Sequence, residues 1–144
     1  MSDLSQALER LPHAGPMRFI DSIEAVEDGG RTIVTRIHVR PDFIMAEGGQ
    51  VSPLVAVEFF AQSAAALMAH RSAAAKAPKV SGALLGTRSL ECSGAISVGD
   101  LLECRATEVF GAGALAQFEC TLRRDGELLA KGSINVASGA LPPG

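Results

Sequence analysis

Within the stretch Pro53–Ala69 every residue is apolar or small except Glu58, Gln62 and Ser63. A carboxyl among alanines, leucines and phenylalanines is costly to bury unless another group compensates it. Burial raises a carboxyl pKa, toward values at which it can give or take a proton near neutrality. Glu58 and Gln62 are four residues apart, on one face of a helix with Leu54 and Ala65, so the amide can donate to the carboxylate. The competing reading is structural: a glutamate near a helix start is favoured by the helix dipole. With the helix taken from Pro53, Glu58 falls beyond its first turn, where that effect is weaker.

Three histidines are the other candidates for proton chemistry. His13 lies in the stiff segment Leu11-Pro12-His13-Ala14-Gly15-Pro16, where it can serve a loop-fixing hydrogen bond or chemistry. His38 alternates with apolar residues and belongs to the polar face of a strand. His70 falls near the end of the helix, where a cation suits the dipole. The cysteines Cys92, Cys104 and Cys120 are far apart, form no CxxC motif and have no paired histidines, so they read as reduced thiols rather than metal ligands or a disulfide framework. No metal and no cofactor is expected.

The elements that must carry these residues follow from turn signals and periodicity. A short helix is expected over residues 2–10, ended by Pro12, then a strand from Met17 to Glu27. The turn Asp28-Gly29-Gly30 leads to a second strand, Arg31–Arg40, with good apolar alternation. A loop spans Asp42–Val51. Ser52 as cap and Pro53 as first helical residue start the long helix, which runs to about Ala74. Strands follow at Val80–Cys92, Leu101–Phe110, Ala114–Arg124 and Glu127–Ala137, the last two joined by Asp125-Gly126. Ser138–Gly144 is expected to be a frayed tail.

The chain of 144 residues suits one domain. Six antiparallel strands and one helix that is apolar on all sides are accommodated by wrapping the sheet around the helix, with the open edge set against a second copy. That is an α+β hotdog fold. Apolar residues make up 47% of the chain and the mean hydropathy is +0.23, which also favours an oligomer. A net charge of −3 without a basic run speaks against nucleic-acid binding. The N-terminal stretch carries acids and no apolar core, so no secretory leader is read there, the apolar helix is interrupted by polar groups rather than membrane-spanning, and a cytoplasmic location is expected.

Taken in order, Leu11-Pro12-His13-x-x-Pro16-Met17-x-x-Ile20-Asp21, Val57-Glu58-Phe59-Phe60-Ala61-Gln62 and Gly82-x-Leu84-Leu85-Gly86-Thr87-Arg88 resemble the 3-hydroxyacyl-acyl-carrier-protein dehydratases. The likeness is greatest to the small hotdog proteins of aryl-polyene gene clusters, and covers about residues 10–137. Val98-Gly99-Asp100, Phe118-Glu119-Cys120 and Asp125–Ala130 are similar to that branch too. The resemblance implies dehydration of a 3-hydroxyacyl thioester, on acyl carrier protein or coenzyme A, to the trans-2-enoyl thioester. Glu58 takes the place of the helix acid, with Gln62 behind it. Backbone N–H groups near Leu54 and Val55 would polarise the thioester carbonyl, and Gly86 would contact substrate. The site would form between protomers of a homodimer, or of a heterodimer with a related hotdog subunit.

One departure matters. Where the fatty-acid dehydratases carry a catalytic histidine before the helix, this chain has Ile44, and no histidine lies between His38 and His70. His13 is therefore the candidate base. The same scaffold admits two other roles: a non-catalytic partner of an active dehydratase, which the missing histidine favours, and an acyl-thioester hydrolase, which would need neither the Glu-x-x-x-Gln helix nor the Leu-Pro-His loop.

Overall fold

The structure, a computed structural model, describes residues 19–41, 46–47, 49–52, 54–74, 80–112 and 115–140. The helix expected over 2–10 and His13 lie outside them. The described elements are β1 (Ser22–Glu27), β2 (Thr32–His38), β3 (Ala46–Glu47), β4 (Gln50–Val51), α1 (Val55–Ala74), β5 (Val80–Cys92), β6 (Ile96–Ser97), β7 (Leu101–Ala112), β8 (Leu115–Arg124) and β9 (Glu127–Ala140).

Six strands form one antiparallel sheet in the order β1-β2-β7-β8-β9-β5, and α1 packs against five of them. This is the hotdog arrangement. Side-chain alternation sets its two faces. Ile33 and Ile37 of β2, Leu102 of β7, Phe118 and Leu122 of β8, and Ile134 of β9 are all fully buried, and share a core with Phe59, Phe60 and Leu67 of the helix. The opposite face is polar, crossed by the ion pairs Arg105–Glu27 at 2.7 Å and Lys131–Glu91 at 3.3 Å.

The turn joining β1 to β2 is a single 3-10 turn, with positive φ at Asp28, Gly29 and Gly30. Glycine relieves that strain at two of the three positions. The strand expected from Met17 begins only at Ser22. Ahead of it, Phe19 and Ile20 are buried but lie outside the sheet, and Asp21 accepts the His38 N–H through its carboxylate. The segment 42–51, expected to be loop, contains β3 and β4, which pair with each other, and β4 pairs with β6 to complete a small three-stranded sheet. Two-residue strands are too short to print a period on the sequence. At the other end β9 continues to Ala140, where it pairs with Val80, so pairing reaches into the segment expected to fray.

Gly132 of β9 lies close against both β5 and the helix. A Cβ there would lie 2.6 Å from the Ser89 carbonyl oxygen and 3.3 Å from the Phe60 ring. The backbone contact cannot yield by a rotamer change, so Gly132→Ala is expected to destabilise the fold by roughly 1–3 kcal/mol in chemical denaturation.

Cys104 and Cys120 are buried in the core, whereas Cys92 is exposed at the end of β5. Burial pushes the Cys104 thiol up to about 12, and raises that of Cys120 as well. Alkylation requires the thiolate. At pH 8 the native chain should therefore react at one thiol, Cys92, and in denaturant at all three, as read by mass spectrometry after timed labelling.

Candidate active site at the helix start

The helix begins two residues later than its sequence signals suggest. The Ser52 carbonyl accepts the Val55 N–H at 3.0 Å and its hydroxyl accepts the Leu54 N–H at 3.3 Å, so the chain turns once before α1 starts at Val55. Glu58 consequently stands in the first helical turn, not beyond it. Both features weighed in the sequence are present together, an apolar helix and proximity to the positive end of its dipole.

Glu58 is half-buried, and Gln62 is wholly buried. The Gln62 amide is held in one orientation. Its Oε1 accepts the Phe19 N–H at 2.9 Å, which leaves Nε2 to donate to Glu58 Oε1 at 3.2 Å. The expected Glu58–Gln62 bond is thus present, with its direction fixed by a backbone donor. Phe19 completes the setting by packing its ring edge-on against Phe59, with centroids 5.4 Å apart at 78°. Sequence reasoning passed over Phe19. The available signal was an aromatic residue following the Pro-rich loop, where an apolar anchor is needed.

The remaining expected site residues are placed as follows. Leu54 is 63% exposed at the mouth of the helix, while Val55 is buried. Their N–H groups are both engaged by Ser52, so they do not present two open donors side by side. Gly86 lies on β5 at one of two register irregularities, and a Cβ there would meet nothing within 4 Å. Among the described residues β5 pairs with β9 alone, and its other side is the edge of the sheet.

Of the described histidines, neither joins Glu58. His38 points out from the polar face of β2, as expected. His70 is twelve residues further along the helix, about 18 Å by helical rise, with a buried Nδ1 that has no hydrogen-bond partner. Arg71 beside it donates to Glu108 at 3.0 Å and to the Gly30 carbonyl at 2.9 Å, which fastens the far end of α1. Two surface hollows, of about 520 and 300 Å³, are lined by sheet residues and include neither Glu58 nor any part of the helix. Among the described residues no group of histidines, cysteines and carboxylates could hold a metal, and no helix is long and apolar enough to cross a membrane.

These features define a hotdog-fold protein with a single carboxyl set into the start of its central helix. Solved structures share the fold. The dehydratase heterocomplex ApeI:P from Xenorhabdus doucetiae matches with a TM-score of 0.83 at 21% identity, over 93% of this chain and 91% of that one. A hypothetical thioesterase from Streptococcus pneumoniae TIGR4, solved with coenzyme A, matches with a TM-score of 0.66 at 13% identity, over 85% and 90%. The PaaI protein of the E. coli phenylacetic acid degradation operon matches with a TM-score of 0.63 at 9% identity, over 80% of each chain. No curated protein matches in sequence. The family model of the ApeP-like proteins, described as ApeP dehydratase, matches residues 5–141, and the chain belongs to that family.

Replacing Gln62 with leucine would strand the buried Phe19 N–H and remove the donor to Glu58. A loss of about 1–3 kcal/mol in unfolding free energy is expected, with the fold retained by circular dichroism.

Proposed function

We propose that the chain dehydrates 3-hydroxyacyl thioesters, carried on acyl carrier protein or coenzyme A, to trans-2-enoyl thioesters in fatty-acid or polyene-type biosynthesis. The observation that carries this reading is the oriented Glu58–Gln62 pair in an otherwise apolar helix start. Membership of a dehydratase family supports it.

In the proposed reaction a base removes the proton next to the thioester carbonyl, the bond from C3 to its hydroxyl breaks, and Glu58 supplies the proton with which that hydroxyl leaves as water. The proton taken by the base then restores Glu58, so acid and base are regenerated and no redox partner enters. Gln62 holds Oε1 and so orients the carboxyl for proton delivery. The thioester carbonyl is placed against the helix start. There the Leu54 N–H is the better donor, since its 3.3 Å contact is to a hydroxyl that can rotate away, whereas the Val55 N–H closes a backbone turn. Gly86, without a side chain on the open edge, leaves room for the acyl or pantetheine arm.

His13 is the proposed base. It precedes Phe19 by six residues, a span of at most about 20 Å when extended, and the Phe19 N–H is bonded to the same Gln62 that holds Glu58. Pairing of the β5 edge with a second copy would close the sheet and complete the site as a homodimer. The chain would work in the cytoplasm, with its cysteines as thiols.

A second reading has its own support. Of the described histidines, His38 is exposed on β2 and His70 lies twelve residues along the helix from Glu58, and the structurally similar dehydratase is a heterocomplex. On that reading β5 pairs with a related hotdog subunit, and this chain is a non-catalytic member of the pair.

The deciding assay follows a 3-hydroxyacyl-carrier-protein by mass spectrometry with wild type, Glu58→Gln and His13→Ala. Loss of enoyl product by about 10²-fold or more in both variants is expected, with folding and assembly intact. Full turnover in either variant removes that residue from the mechanism. A wild type that works only when a related subunit is added supports the second reading, and release of free thiol instead of enoyl product identifies a hydrolase.

A further inference from the structure

On the side of α1 that meets the sheet lie three wholly buried polar side chains: Ser63 of the helix, Thr35 of β2 and Cys104 of β7. Thr35 Oγ1 and Ser63 Oγ are 2.9 Å apart, and Ser63 Oγ is 3.3 Å from Cys104 Sγ. Thr35 Oγ1 also lies 3.4 Å from the Cys104 carbonyl oxygen, and Cys104 Sγ lies 3.9 Å from the carbonyl oxygen of Phe59. Each side chain has a single hydrogen to give. In one arrangement Thr35 donates to Ser63 and Ser63 to the sulfur. In the other Ser63 donates to Thr35 and Thr35 to the Cys104 carbonyl. In both, the Cys104 S–H ends on the carbonyl of Phe59, the residue after Glu58.

The group grips α1 at two points, Phe59 and Ser63, which directly follow Glu58 and Gln62 in the helix. Such a grip is needed because this helix is apolar on every side. Phe59, Phe60 and Leu67 direct one side to the sheet, but the alanines between them offer little resistance to a small roll or slide. Directional bonds from two different strands do resist it. Phe19, through Gln62, holds the same turn from the other flank.

We propose that Thr35, Ser63 and Cys104 act together as positioning residues that hold the Glu58 turn at a fixed rotation and depth against the sheet. The inference rests on Glu58 being the proton donor of the proposed reaction. The thiol stays protonated, and so remains a donor, because burial pushes it up to about 12.

The test compares Thr35→Val, Thr35→Ser and Ser63→Ala with wild type in steady-state turnover, alongside melting curves. Misplacement of a reacting group by an ångström or less lowers kcat steeply. About a tenfold fall in kcat is expected for Thr35→Val and Ser63→Ala, with KM within about twofold, and Thr35→Ser should recover most of the loss. The double variant Thr35→Val/Ser63→Ala should be no slower than the worse single variant, since the residues form one unit. Variants that melt earlier yet keep the wild-type kcat would show a structural tie alone and overturn the proposal. If wild type itself has no turnover, the dehydratase reading fails, and the tie is judged without activity. In a Cys92→Ser/Glu58→Cys background, the iodoacetamide reaction rate of the cysteine at position 58 should change several-fold when Ser63→Ala is added. An unchanged rate overturns it.

Discussion

A helix with no polar side dictates this architecture. α1 has no polar face to offer water, so most of its side chains are enclosed: the sheet covers the side of Phe59, Phe60 and Leu67, while Val57, Glu58 and Ala61 stay partly exposed. Sheet order, strand length and the placing of Gly132 all serve that enclosure. A glycine in the interior of β9 is what allows the Phe60 ring to lie directly on the strand. Among the described residues, the buried polar side chains Gln62 and Ser63 of the helix are both bonded. Gln62 binds Phe19 and Glu58, and Ser63 binds Thr35 and Cys104. An unmatched polar atom in that position would cost more than a matched one contributes.

This enclosure explains how one glutamate can be both tolerated and useful. At the first turn Glu58 draws on the helix dipole and on Gln62, while most of the helix around it is sealed. The same residue three turns further in would lose the dipole and face only carbon. The start of the helix is therefore the position in this fold where a carboxyl can be half withdrawn from water at acceptable cost.

Much of this was legible in the sequence, for reasons that lie in particular residues. Asp125-Gly126 and Asp28-Gly29-Gly30 mark their turns because few other residues accept positive φ. The apolar run after Ser52 announces the helix, and the four-residue spacing of Glu58 and Gln62 announces their bond. The exact start of the helix was not legible, because Ser52 caps a turn that precedes α1 rather than α1 itself. The strands β3, β4 and β6 carry no period. The partnership of Thr35, Ser63 and Cys104 joins residues 28 and 41 positions apart, which only the strand register brings together. The link from Phe19 to Gln62, across 43 positions, is hidden for the same reason.

The open side of β5 has a consequence for how this chain persists in a cell. Among the described residues, the thirteen of β5 end the sheet with one row of ladder bonds unmade. On the proposed pairing, the copy or cousin that docks there binds only the folded form. By mass action the folded population then grows with the amount of that neighbour. The chain's lifetime becomes a function of supply: made in excess of its neighbour, it carries an adhesive border, and made in proportion, it does not.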